Sequence, residues 1–158
     1  MTPSFDLTPS KPLQPSDAVA AILRTADGSY LLQHRDPIPT IFYPDHWGCF
    51  GGAVDPGEQP MQALLRELQE ELGMDARGLP IRVFGRFSFS VEGAGIPALE
   101  RVYYNILIEE SEVSRYRLGE GSEMRLVPAR DALHTLRLVP YDGFVLWLHC
   151  YQNMLVRN

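Results

Sequence analysis

Three glutamates fall within five residues, Glu67, Glu70 and Glu71, inside the stretch GAVDPGEQPMQALLRELQEELGM at residues 52–74. On a helix their i, i+3, i+4 spacing puts them on one face. Like charges at that spacing cost roughly 0.2–0.5 kcal/mol per pair, so a helix that needed only solubility would spread them. Oxygen-rich clusters of this kind suit the hard cations Mg²⁺ and Mn²⁺. Arg66 stands within reach of Glu70 at i+4 and of Glu58 in the preceding loop. Either pair would orient a carboxylate toward an ion. The glycines of GGAVDPGE allow backbone to approach a ligand closely, and carbonyl oxygens there can also bind a metal. A solvated acidic helix face is the plain alternative.

The elements around this stretch are legible from periodicity. Leu64, Leu65, Leu68 and Leu72 recur at the spacing of one helix face, so a helix is expected from Pro60 to Leu72. Pro60 suits a first turn and Gly73 a stop. Ahead of it, DAVAAILRT (17–25) and YLLQHR (30–35) read as two strands joined by a turn, and WGCF (47–50) as a short strand. The proline-broken loop 36–46 lies between them. Behind the helix, strands are expected at 81–91, 99–110 and 124–127, with a turn at 92–98 and a brief helix at 129–135. A closing amphipathic helix is expected at 141–156, with Phe144, Val145, Leu148, Tyr151 and Leu155 on its apolar face. Strands and helices mix without strict alternation, which favours a mixed sheet flanked by helices.

The 158 residues and 45% apolar content fit a single domain with a sizeable core. Residues 1–16 hold four prolines and read as an arm, leaving 17–158 as the folded domain. A net charge of −6 argues against binding a nucleic-acid backbone, which wants a basic surface. No apolar run is long enough to span a membrane, and the start lacks the layout of a signal peptide. A cytoplasmic protein is expected, with Cys49 and Cys150 as small buried hydrophobes.

The acidic stretch resembles the signature of the Nudix hydrolases. That signature is a glycine, five residues, a glutamate, seven residues, then Arg-Glu-apolar-x-Glu-Glu-x-Gly-apolar. Gly52, Glu58, Arg66, Glu67, Leu68, Glu70, Glu71, Gly73 and Met74 match it at every fixed position. The resemblance implies an α/β fold, a Nudix-type α/β/α sandwich around a mixed central sheet. It implies a metal-dependent hydrolase that cleaves the diphosphate linkage of a nucleoside diphosphate derivative or triphosphate, with Mg²⁺ or Mn²⁺ as cofactor. Glu67, Glu70 and Glu71 would hold the metal, joined by Gly52. One glutamate would serve as general base: Glu67, or a later-loop residue, Glu120 or Glu123. Glu67, Glu70 and Glu123 form the catalytic set so implied, with Glu58 and Arg66 behind the ligands.

The partner implied is a small-molecule nucleotide, and the residues that choose it lie outside the signature. Arg35 and Arg101, at strand ends, are the candidate phosphate contacts, against a role as surface charges. Phe42, Tyr43 and Phe50 could stack on a base, against a role in core or loop cover. Tyr103 and Tyr104 are neighbours in a strand, so one is expected inward and the other outward or toward the cleft, and Tyr103 joins the substrate-binding set. The four histidines show no ligand spacing. Marks of several relatives are missing: Phe87–Ser90 stands where ADP-ribose-cleaving relatives carry a proline, Ser90–Glu92 where diadenosine-polyphosphate relatives carry a tyrosine, and Phe50-Gly51-Gly52 where many triphosphate-cleaving relatives read Pro-Gly-Gly. Two rivals remain. One is a diphosphate isomerase on the same scaffold, using Cys49. The other is a nucleotide-binding sensor without catalysis. The closing helix is expected to cover its own sheet, with a homodimer contact as the alternative.

Overall fold

The computed structural model describes residues 13–155 apart from Glu92 and Ala94. Residues 1–12 of the expected arm, Glu92 and Ala94 of the expected turn and Val156 of the expected last helix therefore lie outside the described residues.

Seven strands form one mixed sheet. They are β1 (Ala18–Arg24), β2 (Ser29–His34), β3 (Trp47–Gly48), β4 (Phe50–Ala53), β5 (Ile81–Val91), β6 (Ile96–Leu107) and β7 (Glu123–Pro128). The β1–β6 pair is parallel and the other pairs are antiparallel. β1 and β2 meet only near their shared turn, at Arg24 and Tyr30. Beyond it they part, and the segment from Trp47 to Ala53 enters the wedge. Its first half pairs with β2 at Gln33 and His34; its second half pairs with β1 from Ala21 to Ala18. The glycines expected in a loop are thus part of a strand, which places Gly51 and Gly52 at the mouth of the wedge.

Helices α1 (Pro60–Leu72), α2 (Glu110–Val113), α3 (Ala129–Thr135) and α4 (Pro140–Cys150) complete the fold. Alternation along β1 divides the core in two. Val19, Ala21 and Leu23 face α1, with Phe50, Val102 and Tyr104. Ala20 and Ile22 face α3 and α4, with Trp47, Cys49 and Tyr103. Both faces of the sheet are covered, which gives the expected α/β/α sandwich. It also buries both Tyr103 and Tyr104, where one had been expected outward.

Two helices depart from the expected pattern. The buried side of α4 is Asp142, Val145, Leu146 and His149, while Phe144 points outward and Leu155 lies past the helix end. Two polar residues at core spacing disguised that stripe. On α1, Glu71 sits three residues after Leu68 and seven after Leu64, so it shares the buried stripe rather than a solvent face.

Candidate active site

The acid patch lies where α1 crosses β4. The first turn of α1 is tied by the Gln62 side chain, which accepts the Gln59 N–H at 2.9 Å. From there the helix runs over β4 with its leucines down. Glu71 is 3% exposed, and its carboxylate accepts the Gly51 N–H at 2.8 Å. Burial is the main influence on it, reinforced by Glu67 and Glu120 and only partly opposed by Gly51 and Arg35; the result is a carboxyl pushed up to about 8. Glu67 is half-buried, and burial raises its carboxyl too, against the pull of Arg66. Glu70 is exposed.

Arg66 organises the outer half of the patch. Its guanidinium forks onto Glu58, Nε to Oε1 at 3.0 Å and Nη2 to Oε2 at 2.9 Å. Nη1 reaches Glu67 at 2.8 Å and Glu70 at 3.5 Å, and Nη2 also donates to the Ala53 carbonyl at 3.0 Å. Hydrogen bonds to Arg66 hold the Glu58 carboxyl below its usual range. A single guanidinium thus offsets the charge of several carboxylates and draws Glu67 and Glu70 toward itself.

Among the described residues no three His, Cys, Asp or Glu side chains converge as placed to hold an ion. The donor chemistry nonetheless fits a hard divalent cation, because every available donor is oxygen. Gly52 supplies a second sign: a Cβ there would lie 2.5 Å from Glu67 Oε1, so this position must stay bare for the carboxylate to lie over β4. Gly119 does the same on the other flank. Its Cβ would meet the Glu70 carbonyl oxygen at 2.2 Å, and its N–H donates to the Glu71 carbonyl at 2.7 Å. That seat brings the following residue, Glu120, into electrostatic reach of Glu67 and Glu71.

Three sequence-based assignments need correction. Glu123 does not belong to the patch. Met124 and Leu126 pack on the α1 side, so alternation turns Glu123 and Arg125 to the other face, where they pair at 2.6 Å. Phe50 is 0% exposed beneath α1 and offers no surface for a base to stack on. Tyr103 is equally buried, and its hydroxyl already donates to Asp142 Oδ1 at 2.6 Å.

The two arginines sit differently, since Arg101 lies inside β6 (Ile96–Leu107) and not at a strand end. Arg35 leaves the end of β2, donates from Nε to the Phe42 carbonyl at 2.9 Å, and lies in electrostatic reach of both Glu71 and Tyr141. Arg101 lies on the α4 side, its Nε donating to the Tyr103 hydroxyl at 3.1 Å and its Nη2 3.8 Å from Asp142. Burial pulls against its charge, but Asp142 and Tyr103 hold it firmly protonated. Sequence reasoning missed Asp142 and Tyr141. The one available signal was an aspartate that recurs with Val145, Leu146 and His149 at core spacing.

The NUDIX domain family model matches residues 14–148. An uncharacterized Nudix hydrolase of Pseudomonas aeruginosa is 31% identical over 122 residues, covering 76% of this chain and 67% of that protein. The nucleoside triphosphatase NudI of Escherichia coli is 47% identical over 47 residues, 30% of this chain and 33% of NudI. The chain spans about a third of the length of several of the curated relatives it matches. Among solved structures, a MutT protein from Methanosarcina mazei Go1 superposes with a TM-score of 0.70 at 19% identity, covering 92% of this chain and 100% of that one. The chain belongs to the NUDIX domain family, and its fold is the Nudix fold.

Proposed function

We infer that this protein is a divalent-metal-dependent hydrolase that cleaves the phosphoanhydride linkage of a nucleoside triphosphate or a nucleoside diphosphate derivative. The observation that carries the reading is the buried Glu71 carboxyl, within electrostatic reach of Glu67 and Glu120 and, among the described residues, hydrogen-bonded only by the Gly51 N–H. Such an arrangement costs folding energy, and a bound cation is the partner that would compensate it. Glu67, Glu70, Glu71 and the Gly52 carbonyl would hold Mg²⁺ or Mn²⁺. When bound, the ion supplies charge neutralisation for the diphosphate and a lowered pKa for water. Arg66, anchored on Glu58, orients Glu67 and Glu70. Of the two loop glutamates the sequence left open, Glu120 is the one in electrostatic reach of Glu67, where it would serve as proton acceptor. Arg35 is positioned as a cationic contact for the phosphate chain.

The isomerase alternative loses its nucleophile. Cys49 is buried, its thiol is pushed well up by burial and by Asp142, and its own N–H is bound to Asp142. The sensor alternative would explain neither the intact acid set nor its burial. Incubation with Mg²⁺ and a panel of nucleoside triphosphates and diphosphate derivatives tests the reading. Release of a nucleoside monophosphate, with pyrophosphate or the second moiety, and its loss in EDTA, is the expected result; no cleavage of any panel member would overturn it.

A further inference from the structure

The β1–β2 turn, the start of α3 and the last turn of α4 enclose an open cavity of about 590 Å³. It lies at the other end of β1 from the acid patch. Gly51 and Gly52 pair with Ala20 and Val19 near the beginning of that strand. The cavity starts at Arg24, where the strand ends, roughly 16 Å further along at 3.3 Å per residue. The Ala129 N–H donates to the Gly28 carbonyl at 3.1 Å, so backbone sets the spacing between the turn and α3.

Two cations line this cavity, Arg24 and Arg130. Arg24 is half-buried, and its Nε donates to Asn105 Oδ1 at 3.0 Å. Among the described residues neither arginine forms an ion pair. A guanidinium drawn partly out of water without a carboxylate calls for an anion. His149 lines the same cavity, is 7% exposed and lies in electrostatic reach of Arg24. The Tyr30 hydroxyl stands 2.7 Å from His149 Nδ1 and 3.5 Å from the Leu146 carbonyl. It therefore donates to Nδ1, which leaves the ring proton on Nε2. Among the described residues that buried N–H finds no acceptor. An uncompensated cation and a donor without an acceptor ask for the same ligand group, an anionic oxygen.

The remaining charges limit what that group can be. Asp27, also on the wall, binds the Thr25 hydroxyl and accepts the Ser29 N–H at 3.2 Å. Asp131 is exposed beside it, and α4 ends here with the negative pole of its dipole. These groups repel a doubly charged phosphate far more than a single charge.

We propose that this cavity is a second ligand site, in which Arg24 and Arg130 hold the carboxylate of a small organic acid and His149 supplies an uncharged donor behind them. A guanidinium meets a carboxylate in one plane, two N–H groups to two oxygens, and that geometry fixes the ligand's orientation. The site is independent of the reaction proposed for the acid patch.

A nitrogen-15 NMR titration of the full chain with sodium acetate tests this, against sodium chloride and inorganic phosphate at matched ionic strength. Acetate should shift the Arg24 Nε–H signal and the Gly28 and Cys150 amides until they saturate, with the millimolar Kd of so small a ligand. Phosphate should bind at least about tenfold more weakly. Arg24→Gln should weaken acetate at least about tenfold, the loss of a charged two-point contact. Arg130→Ala, at an exposed position where the fold is not at stake, should weaken it at least about threefold, and decides alone should Arg24→Gln not fold. Shifts that rise linearly and match those from chloride would overturn the proposal. So would phosphate binding as tightly as acetate, or an acetate affinity unchanged in either arginine variant.

Discussion

At the scale of single residues, the acid patch separates carboxylates that look alike in the sequence. Glu71 is buried, Glu67 half-buried and Glu70 exposed, although all three match the same signature. Loss of a metal-holding oxygen with little change in shape should be costly: Glu70→Gln is expected to lower kcat by about 100-fold in a steady-state assay. The loop glutamates provide a sharper contrast. Glu120→Gln should lower kcat by roughly 100-fold as the loss of a proton acceptor, while Glu123→Gln, tied to Arg125 on the other face, should stay within about twofold of native activity. Parallel rates for those two variants would contradict the placement. The sequence carried the acid set because fixed spacing on a helix fixes geometry. It did not carry the choice between Glu120 and Glu123, which depends on how the Gly119 backbone seats against α1. Phe50 and Tyr103 misled for a related reason: an aromatic side chain looks the same in a sequence whether it lines a cleft or fills a core.

At the scale of elements, α1 is both a core helix and the carrier of the patch. Leu68 is fully buried between α1 and the sheet, so Leu68→Ala should destabilise by about 2–5 kcal/mol in a denaturant titration. Helix α4 carries a different liability. His149 is buried, shares a hydrogen bond of 2.7 Å with the Tyr30 hydroxyl, and among the described residues leaves Nε2 without a partner. Burial, with Arg24 nearby, lowers its pKa from 6.5 to about 4. The unfolded chain therefore takes up a proton at higher pH than the folded one. Stability is fully present above about pH 6.5 and declines as pH falls toward 4, by on the order of 3 kcal/mol. Thermal melts between pH 7 and 4 should show that decline, and His149→Leu should flatten it; an identical slope in the variant would remove His149 as its source. Strand β5 and helices α1 and α3 were legible because hydrophobic period and turn residues agree there. The Trp47–Ala53 segment was only half legible: Gly51 and Gly52 read as a loop, yet they pair with Ala20 and Val19 because β1 and β2 part and leave a wedge to fill. The buried side of α4 was hidden by Asp142 and His149, polar residues that find partners only across the chain.

At the scale of the whole molecule, the sandwich separates its charged groups by sheet face. The α1 face carries the acid patch, and the α4 face carries Arg101 and Asp142. On the proposed reading, a chain with a net charge of −6 that concentrates acids on one helix would need cations before it could receive a phosphate chain. Among the described residues no helix is long and apolar enough to cross a membrane. Family membership was legible from the signature alone, because so many residue types at fixed spacing are specific by themselves. The substrate was not, since the residues that would choose it lie outside the signature. The most direct test is the binding of Mn²⁺, followed by the loss of the free-ion electron paramagnetic resonance signal, in native protein and in Glu67→Gln and Glu71→Gln. The native chain should take up Mn²⁺, and each variant should bind it at least about tenfold more weakly; equal uptake by all three would show that the acid patch is not where the ion sits.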